Sequence, residues 1–309
     1  MSSTKNRFAF FKGEIVPIEE ARIGVMTAAL NYGLGVFEGI RAYWCDRTEE
    51  LYLFRLREHY ERFLRNARVL LMDLPYSADR LSEITVDLIR REGYRTDTYI
   101  RPLAYKSSEV IGVKLHNLDC DATIFAIPFG AYIDKPGGCR LRTSSWRRID
   151  DNAIPARGKF VGAYVNSALA KTDAVTSGYD DALLLNADGH VAEASAANLF
   201  IVREGALLTP PVTDNILEGI RRMTFMQLAA DRGIPCRERS IDRSEIYHAE
   251  EAFLCGTGVG IVPVIELDDR PIGSGRPGPI TVALVALYDD VVRGREPRYR
   301  DWCLPVYGD

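Results

Sequence analysis

The spacing of apolar side chains predicts two helices early in the chain. Residues 56–71 carry apolar side chains at positions 56, 60, 63, 64, 67, 70 and 71, which fall on one face of a helix. Ser77 is placed to cap a second helix that runs to Arg91 and is closed by Gly93. The polar face of the first helix, normally a solvated surface, carries four arginines: Arg57, Arg62, Arg65 and Arg68.

Alternation and short apolar runs predict strands around these helices. A hairpin over Phe8–Val16 turns at Lys12-Gly13, and residues 99–105 alternate so that Tyr99 and Arg101 share one face. Residues 30–43, LNYGLGVFEGIRAY, combine glycines with aromatic residues, which suits either a pocket wall or a core strand with bends. Further strands are predicted at residues 51–54 and 123–128.

The second half of the chain is richer in predicted strands. Residues 181–202 predict two strands joined by a turn at Asp188-Gly189, and a helix begins at Gly219 and runs to Arg232. Residues 252–260 form a strand that enters a Gly-Thr-Gly turn, but the strand-like VPVIEL that follows argues against a dinucleotide site. A closing helix is predicted at residues 279–292, and the linker-like composition of residues 130–142 places a domain boundary there.

Composition narrows the possible function classes. The 309 residues are 47% hydrophobic and 27% charged, which fits a globular protein of two domains of ordinary size or of one large domain. A formal net charge of -4 without a basic block argues against nucleic-acid binding, and no apolar run approaches membrane-spanning length. Six scattered cysteines and an N-terminus without a signal-peptide core predict reduced thiols in the cytoplasm. Four widely spaced histidines predict no metal site.

Lys159 is the first candidate for chemistry, because only seven of the 39 basic residues are lysine. Its neighbours Gly158, Phe160, Val161 and Gly162 are small or apolar, and no acid is nearby in sequence. Desolvation by such neighbours lowers the pKa of an amine and makes it a nucleophile able to form a Schiff base. A surface lysine in a glycine-rich loop is the alternative that these residues alone leave open.

Three further positions could bind charged groups of a ligand. Glu193 interrupts the run of small residues VAEASAANLFIV, where the alternative is an edge-strand glutamate that faces water. Arg101, among the aromatic residues of its strand, needs an anionic partner if buried, either a carboxylate ligand or a structural ion pair. The helix that begins at Gly219 offers N–H groups and a positive dipole end for a phosphate.

Taken in order, the segments of this chain resemble the branched-chain amino-acid aminotransferases, pyridoxal-phosphate enzymes of fold type IV in the class IV aminotransferase family. The segments that carry the resemblance are FFKGEIV, LNYGLGVFEGIR, YIRPL, IGV, FGAY, SSW, the stretch around Lys159, VAEASAANLFIV, LEGIRR and LCGTGVGIVPV. Each is weak alone, but their number and order are specific.

The resemblance implies a mixed α/β fold of two domains with a cofactor at their interface. These are a small N-terminal α/β domain (residues 1–129), an interdomain loop (130–142) that can close over substrate, and a larger barrel-like C-terminal domain (143–309) that carries the lysine. It also implies a homodimer or a larger homo-oligomer, with part of the pocket built by the neighbouring subunit.

The implied activity is transamination of branched-chain L-amino acids (leucine, isoleucine, valine) with 2-oxoglutarate, giving 2-oxo acids and L-glutamate through pyridoxal 5′-phosphate (PLP). Alternatives on the same fold are a D-amino-acid or (R)-amine transaminase and an aminodeoxychorismate lyase. A cofactor-storing protein without turnover is a third hypothesis. The combination of Lys159, Glu193 and Tyr164 argues against it, because binding alone needs no proton shuttle.

The resemblance also implies the cofactor contacts. Lys159 would form the Schiff base with PLP and act as general base and then acid. Glu193 would pair with the pyridine nitrogen, Tyr164 would hydrogen-bond the phenolate oxygen, and Leu217 would pack against the ring. The phosphate would be bound by Arg62, the backbone amides of Gly219, Ile220 and Arg221, and the Thr257 hydroxyl.

Substrate contacts follow from the same resemblance. The substrate carboxylate would meet Tyr99, Arg101, Arg41 and the backbone of Thr257-Gly258. The remaining pocket positions are Tyr32, Phe37, Gly39, Val113, Phe129, Tyr132 and Tyr164. Three departures from the common family pattern bear on substrate scope: Phe160-Val161 after the lysine, Arg221 where a small hydroxyl residue is common, and Gly258 where alanine is frequent.

Overall fold

The computed structural model describes residues 7–130, 135 and 137–308. The strands, in chain order, are β1 (Phe8–Phe11), β2 (Glu14–Pro17), β3 (Gly35–Phe37), β4 (Ile40–Cys45), β5 (Glu50–Phe54), β6 (Thr98–Lys106), β7 (Cys120–Pro128), β8 (Cys139–Thr143), β9 (Asp181–Leu185), β10 (Val191–Ala194), β11 (Asn198–Arg203), β12 (Ala206–Thr209), β13 (Cys236–Glu238), β14 (Glu251–Gly256), β15 (Gly260–Leu267), β16 (Arg270–Pro271) and β17 (Cys303–Pro305). The α-helices are α1 (Ala28–Tyr32), α2 (Leu56–Val69), α3 (Ala78–Glu92), α4 (Tyr164–Thr176), α5 (Ile220–Asp231), α6 (Arg243–Ile246) and α7 (Pro279–Val292).

The chain divides into two compact units, and these contain nearly equal numbers of residues. The first unit consists of Met1–Gly130, Lys159–Gly162 and Asp289–Asp309, and the second of Ala131–Gly158 and Ala163–Tyr288. This division differs from the predicted small and large domains in two ways. The chain end returns to the first unit because β17 pairs with β5, and the lysine segment belongs to that unit because it pairs with β3.

The first unit is built on an eight-stranded antiparallel sheet. The strand order is β17-β5-β4-β6-β7-β1-β2, and β3 pairs with β6. Helices α2 and α3 pack against each other, and α3 also packs against β1 and β7. The Ser77 hydroxyl caps α3 by accepting a hydrogen bond from Arg80 N at 3.1 Å, and Gly93 ends the helix with φ +67°. The helices and the hairpin predicted in this part of the chain are therefore confirmed.

The second unit is built on a nine-stranded mixed sheet. The strand order is β10-β9-β8-β15-β14-β11-β12-β13, with β16 on β15. Strand β8 pairs in parallel with both β9 and β15. The core includes Leu199, Ile201, Leu254 and Val262. One of the two sheets of the protein curls into half of a barrel, which agrees with the predicted mixed α/β class.

Two predicted segments differ from the structure in detail. Residues 181–202 form three strands rather than two, because Ala194 N donates to Ala197 O at 2.8 Å and turns the chain between β10 and β11. The predicted loop 130–142 includes the first four residues of β8, while residues 131–134 and 136 lie outside the described residues. Over the described parts of the chain, no helix is long and apolar enough to cross a membrane.

Candidate active site

Backbone hydrogen bonds to β3 fix the position of Lys159 in the first unit. Phe37 N donates to Lys159 O at 3.1 Å, and Val161 N donates to Gly35 O at 2.9 Å. The Lys159 side chain is half-buried, and its Nζ lies 4.7 Å from the centre of the Phe37 ring. The amine is therefore presented from a short strand-like segment five residues before α4.

Two glycines allow this segment to approach the end of α1. Gly33 ends α1 with φ +68°, and a Cβ there would lie 2.9 Å from the Cα of Gly162. Phe160, one of the departures from the family pattern, is only 4% exposed and so anchors the segment. The residues around Lys159 thus fix the position of its backbone, and with it the position from which the amine extends.

The predicted carboxylate-binding side chains lie beside the same aromatic ring. The Cζ of Arg101 is 4.6 Å from the centre of the Phe37 ring, and its Nη2 donates to the Tyr99 hydroxyl at 2.9 Å. A Cβ at Gly39 would lie 2.5 Å from that hydroxyl, so a larger residue here would displace the Tyr99 ring. The structure therefore brings Phe37, Gly39, Tyr99 and Arg101 together with Lys159.

Arg41 and Phe129 border this group within the first unit. The Cζ of Arg41 is 5.4 Å from the centre of the Phe129 ring, and the Tyr99 and Phe129 ring centres are 5.5 Å apart. Arg41 Nη1 donates to Gly130 O at 2.8 Å, and its Nη2 lies 3.8 Å from Asp97. A structural ion pair therefore accounts for part of the charge on Arg41.

Three other predicted substrate residues are placed differently. Val113 is 87% exposed, and the Tyr32 hydroxyl accepts a hydrogen bond from Gly112 N at 3.0 Å. Both lie where the loop after β6 meets α1, because Ala28 N donates to Ser108 O at 2.9 Å. Tyr132 lies outside the described residues.

Arg62 is buried, which corrects its assignment to the solvated face of the first helix. Only 6% of its surface is exposed, whereas Arg57, Arg65 and Arg68 face solvent. The cause is the fully buried carboxylate of Glu38, which the sequence analysis missed. Arg62 Nε and Nη2 donate to its two oxygens at 2.7 and 2.8 Å.

The charge on Glu38 is stabilised by its partners on α2. Burial alone would raise the pKa of the Glu38 carboxyl, but the Arg62 charge and hydrogen bonds from His59 and Arg62 outweigh it and lower the pKa to about 2. His59 Nδ1 lies 2.8 Å from Glu38 Oε2. The one signal in the sequence was an acid inside the otherwise apolar segment GVFEGI.

Glu193 is a buried carboxylate in the second unit, and three polar groups of that unit bind it. It lies on the edge strand β10 but is only 6% exposed, so the alternative of a glutamate that faces water is excluded. Arg148 Nη2 lies 3.0 Å from Glu193 Oε1, and Asn198 Nδ2 and Leu217 N donate to Oε2 at 3.0 and 3.2 Å. Arg148 and Asn198 were not identified from the sequence, although an asparagine at the start of the apolar strand NLFIV is a signal for such a role.

The N-terminus of α5 is tied to Glu193 through Asn198. Gly219 is the residue before the helix, and a Cβ there would lie 2.0 Å from Asn198 Oδ1. Asn198 Nδ2 also donates to Leu217 O at 3.0 Å. The first-turn N–H groups, including those of Ile220 and Arg221, have no earlier helical carbonyl to bind and therefore suit an anion.

Arg221 supports the turn that contains Thr257 and Gly258. Its Nη1 donates to Gly256 O at the end of β14, and its Cζ lies 5.3 Å from the centre of the Tyr288 ring. Arg221 thus contributes its backbone at the start of α5, while its side chain braces the neighbouring turn. Tyr164, half-buried, is the first residue of α4.

Comparisons with known proteins identify the family. The family model for amino-transferase class IV matches residues 35–267. A probable branched-chain-amino-acid aminotransferase of Aquifex aeolicus (strain VF5) is 50% identical over 97% of both chains. The chain therefore belongs to the class IV aminotransferases, within their branched-chain amino-acid aminotransferase family.

Solved structures agree over almost the full length. The branched-chain aminotransferase of the archaeon Thermoproteus uzoniensis, crystallised with norvaline, is 46% identical with a TM-score of 0.94, covering 97% of this chain and 99% of its own. The branched-chain amino acid aminotransferase of Thermobaculum terrenum, in its PLP-form, is 37% identical with a TM-score of 0.93, covering 99% and 100%. The predicted family and fold type are confirmed.

Proposed function

We propose that Lys159, Glu193, Tyr164 and Arg62 carry out the reaction of this enzyme on a single cofactor molecule. The reaction is transamination of branched-chain L-amino acids with PLP as cofactor. The observation that carries the residue assignment is the placement of Lys159. Its amine lies against Phe37, beside the arginine and the tyrosine hydroxyl that suit a substrate carboxylate.

The donors of the chain fit PLP. An amine matches the carbonyl carbon of PLP, and a buried carboxylate matches its pyridine nitrogen. A phenol matches the phenolate oxygen, and a buried arginine together with a helix N-terminus matches the phosphate. When bound, PLP supplies an electron sink for the electron pair that remains on the substrate Cα when the Cα–H bond breaks. The chemical character of these side chains is therefore consistent with the cofactor roles that the family resemblance implies.

Lys159 is the proton carrier in this proposal. Its Nζ would take the proton from the substrate Cα as a base and later give it back as an acid on the same side of the bound cofactor. Backbone pairing to β3 fixes the amine during both transfers. The reverse sequence with 2-oxoglutarate completes the exchange and yields L-glutamate.

Glu193 holds a proton on the pyridine nitrogen. The carboxylate is kept in place by Arg148, Asn198 and the Leu217 amide, and burial strengthens its interaction with a cation. Arg62, the α5 N-terminus and the Thr257 hydroxyl bind the phosphate. Leu217 would pack against the cofactor ring, and Tyr164 would donate a hydrogen bond to the phenolate oxygen.

Substrate selection combines charge with an apolar wall. Arg101, Tyr99 and the backbone of Thr257-Gly258 bind the substrate carboxylate, and Phe37 and Phe129 face the side chain. Arg41 assists the binding of glutamate, whose second carboxylate needs a cation in the same pocket. L-amino acids with branched apolar side chains satisfy both requirements.

We also propose that the enzyme acts in the cytoplasm as a homodimer or a larger homo-oligomer. An exposed apolar patch in the first unit supports the assembly; its members are Ile23, Val25, Met26, Leu30, Ile111 and Val113. Such a patch is a typical subunit interface. If a second copy of the chain covered this patch, Val113 of one subunit would lie at the substrate pocket of the other. This arrangement would explain why a predicted pocket residue is exposed in the single chain. V113D should lower the mass measured by light scattering, whereas V282D, on exposed α7 surface, should not.

Absorption spectroscopy tests the proposed function. L-leucine, D-alanine and (R)-1-phenylethylamine are added separately to purified enzyme, and loss of its visible band is followed. Rapid loss with L-leucine alone is expected. Comparable loss with D-alanine or the (R)-amine would contradict the branched-chain assignment, and absence of a visible band would contradict the cofactor assignment.

A further inference from the structure

Glu38 is a fully buried carboxylate in the segment between β3 and β4. It follows Phe37 and precedes Gly39, so it lies between two residues of the proposed substrate pocket. Its own side chain points to α2, where it meets Arg62 and His59. The proposed reaction gives Glu38 no direct part. The reason why a charge is buried at this position must therefore lie in the contacts that Glu38 makes.

Glu38 binds one whole edge of the Arg62 guanidinium. Arg62 Nε and Nη2 each donate to a different carboxylate oxygen, at 2.7 and 2.8 Å. This two-point arrangement fixes both the position and the plane of the guanidinium, which one hydrogen bond would not do. His59, three residues earlier on α2, holds the same carboxylate at 2.8 Å.

Stabilisation of the fold does not by itself explain the buried ion pair of Glu38 and Arg62. A buried ion pair loses about as much in desolvation as it gains in attraction, and well-packed apolar residues often stabilise a protein equally well. The other three arginines of α2 face solvent, where water competes for their hydrogen bonds. Burial and two-point binding therefore single out Arg62.

The geometry points to Glu38 as the positioning residue for Arg62: by fixing the position and the plane of the guanidinium, Glu38 would hold Arg62 in the orientation that binds the cofactor's phosphate. The inference rests on the proposed role of Arg62. Glu38 stays ionised over the working pH range, because its pKa is held at about 2. His59 in turn restricts the movement of Glu38. Arg62 is thus oriented before the phosphate arrives, which lowers the entropic cost of binding.

Binding of PLP and of pyridoxal to the full-length apoenzyme tests this inference. Pyridoxal lacks the phosphate, so the ratio of the two dissociation constants isolates phosphate recognition. E38Q keeps the size of the side chain but replaces one of the two acceptor oxygens with an NH2 group, which cannot accept from Arg62, and E38D keeps the charge but shortens the reach. Both variants should lose PLP affinity by about 10- to 100-fold, the scale seen when a metal ligand loses its supporting partner. Their affinity for pyridoxal should remain that of the wild type.

A double-mutant cycle separates positioning from a general structural effect. R62M should lose the preference for PLP over pyridoxal, and E38Q added to R62M should cause no further loss. E251Q is the matched control: Glu251 is a buried carboxylate that accepts from Ile280 N and Thr281 N at the start of α7. It should lower stability and leave the ratio unchanged.

The outcomes distinguish the inference from the function on which it rests. If R62M retains the wild-type ratio, the phosphate role of Arg62 fails. If R62M loses the preference for PLP over pyridoxal while E38D and E38Q keep the wild-type ratio of dissociation constants, the positioning role of Glu38 is overturned. If E38Q does not fold, the E38D variant alone tests the inference, because its buried carboxylate can still pair with Arg62. Equal losses for PLP and pyridoxal in E38D would also overturn the inference.

Discussion

Arg148 and Glu193 form an ion pair at 3.0 Å in the second unit, and about one tenth of each side chain is exposed. Arg148 Nε also donates to Asn215 O at 3.1 Å, so the guanidinium links Glu193 to the loop before α5. The carboxylate proposed to hold the pyridine proton is therefore itself held by a charged partner. Without that partner a buried anion would remain uncompensated.

R148M should destabilise the protein by about 3–5 kcal/mol, the cost of breaking a buried ion pair from one side. It should also lower kcat, because Glu193 would no longer be fixed. Denaturant unfolding and steady-state kinetics measure the two effects. R157M is the control: Arg157 pairs with Glu218 at 3.2 Å but is half exposed, so its loss should cost at most about 1 kcal/mol. Equal effects of R148M and R157M would contradict this account.

Two glycines with the same backbone conformation should respond differently to alanine. Gly33 and Gly93 both end helices, at φ +68° and +67°, but only Gly33 faces another backbone, at Gly162. G93A should cost about 1 kcal/mol, the penalty of a left-handed alanine. G33A should cost more and lower kcat, because it displaces the segment that carries Lys159. Matching values of unfolding free energy and kcat for the two variants would rule out this role of Gly33.

Arg221 should matter for substrate binding through the turn that it supports. R221S removes the hydrogen bond to Gly256 O and leaves a small hydroxyl side chain at the start of α5. Because a hydrogen bond from a charged group contributes about 1.5–3 kcal/mol, KM for L-leucine should rise about tenfold or more. R221K, which keeps the charge without the planar guanidinium, should fall in between. Wild-type KM values in R221S would show that the turn needs no support.

Glu38 should make stability depend on pH in the acid range. Its pKa falls from the ordinary value of 4.5 to about 2 on folding, so its contribution is complete above 4.5 and is lost as the pH falls toward 2. That difference corresponds to about 3 kcal/mol. Unfolding free energies measured from about pH 5 down to about pH 2 should therefore decline less steeply in E38Q than in the wild type. Parallel curves would contradict the lowered pKa.

Local sequence signals were enough to predict α2 and α3, because caps and apolar spacing act within a few residues. Burial of Arg62 could not be predicted in this way. Its spacing on α2 resembles that of three solvated arginines, and its partner Glu38 lies 24 residues away. The decisive contact is formed by the tertiary fold.

The candidate site shows the same limit. Glycine and apolar neighbours singled out Lys159, but nothing nearby in sequence indicated that it would pair with β3, more than a hundred residues earlier. Arg148 and Asn198 support Glu193 from separate elements, so neither was found. The roles of Glu193, Tyr164 and Arg62 came from the family resemblance, and the burial of Glu193 and Arg62 gives that assignment a physical basis.

One measurement tests the central claim most directly: the half-reaction of cofactor-loaded K159A with L-leucine, followed by formation of 4-methyl-2-oxopentanoate. K171A is the control, since the Lys171 amine instead binds Asp180 O at 2.6 Å. Wild type and K171A should form about one equivalent of the oxo acid per subunit, and K159A should be slower by about 10²- to 10⁴-fold, the contribution of a positioned acid–base group. Oxo-acid formation by K159A at a rate close to that of K171A would contradict the assignment of Lys159 as the proton carrier.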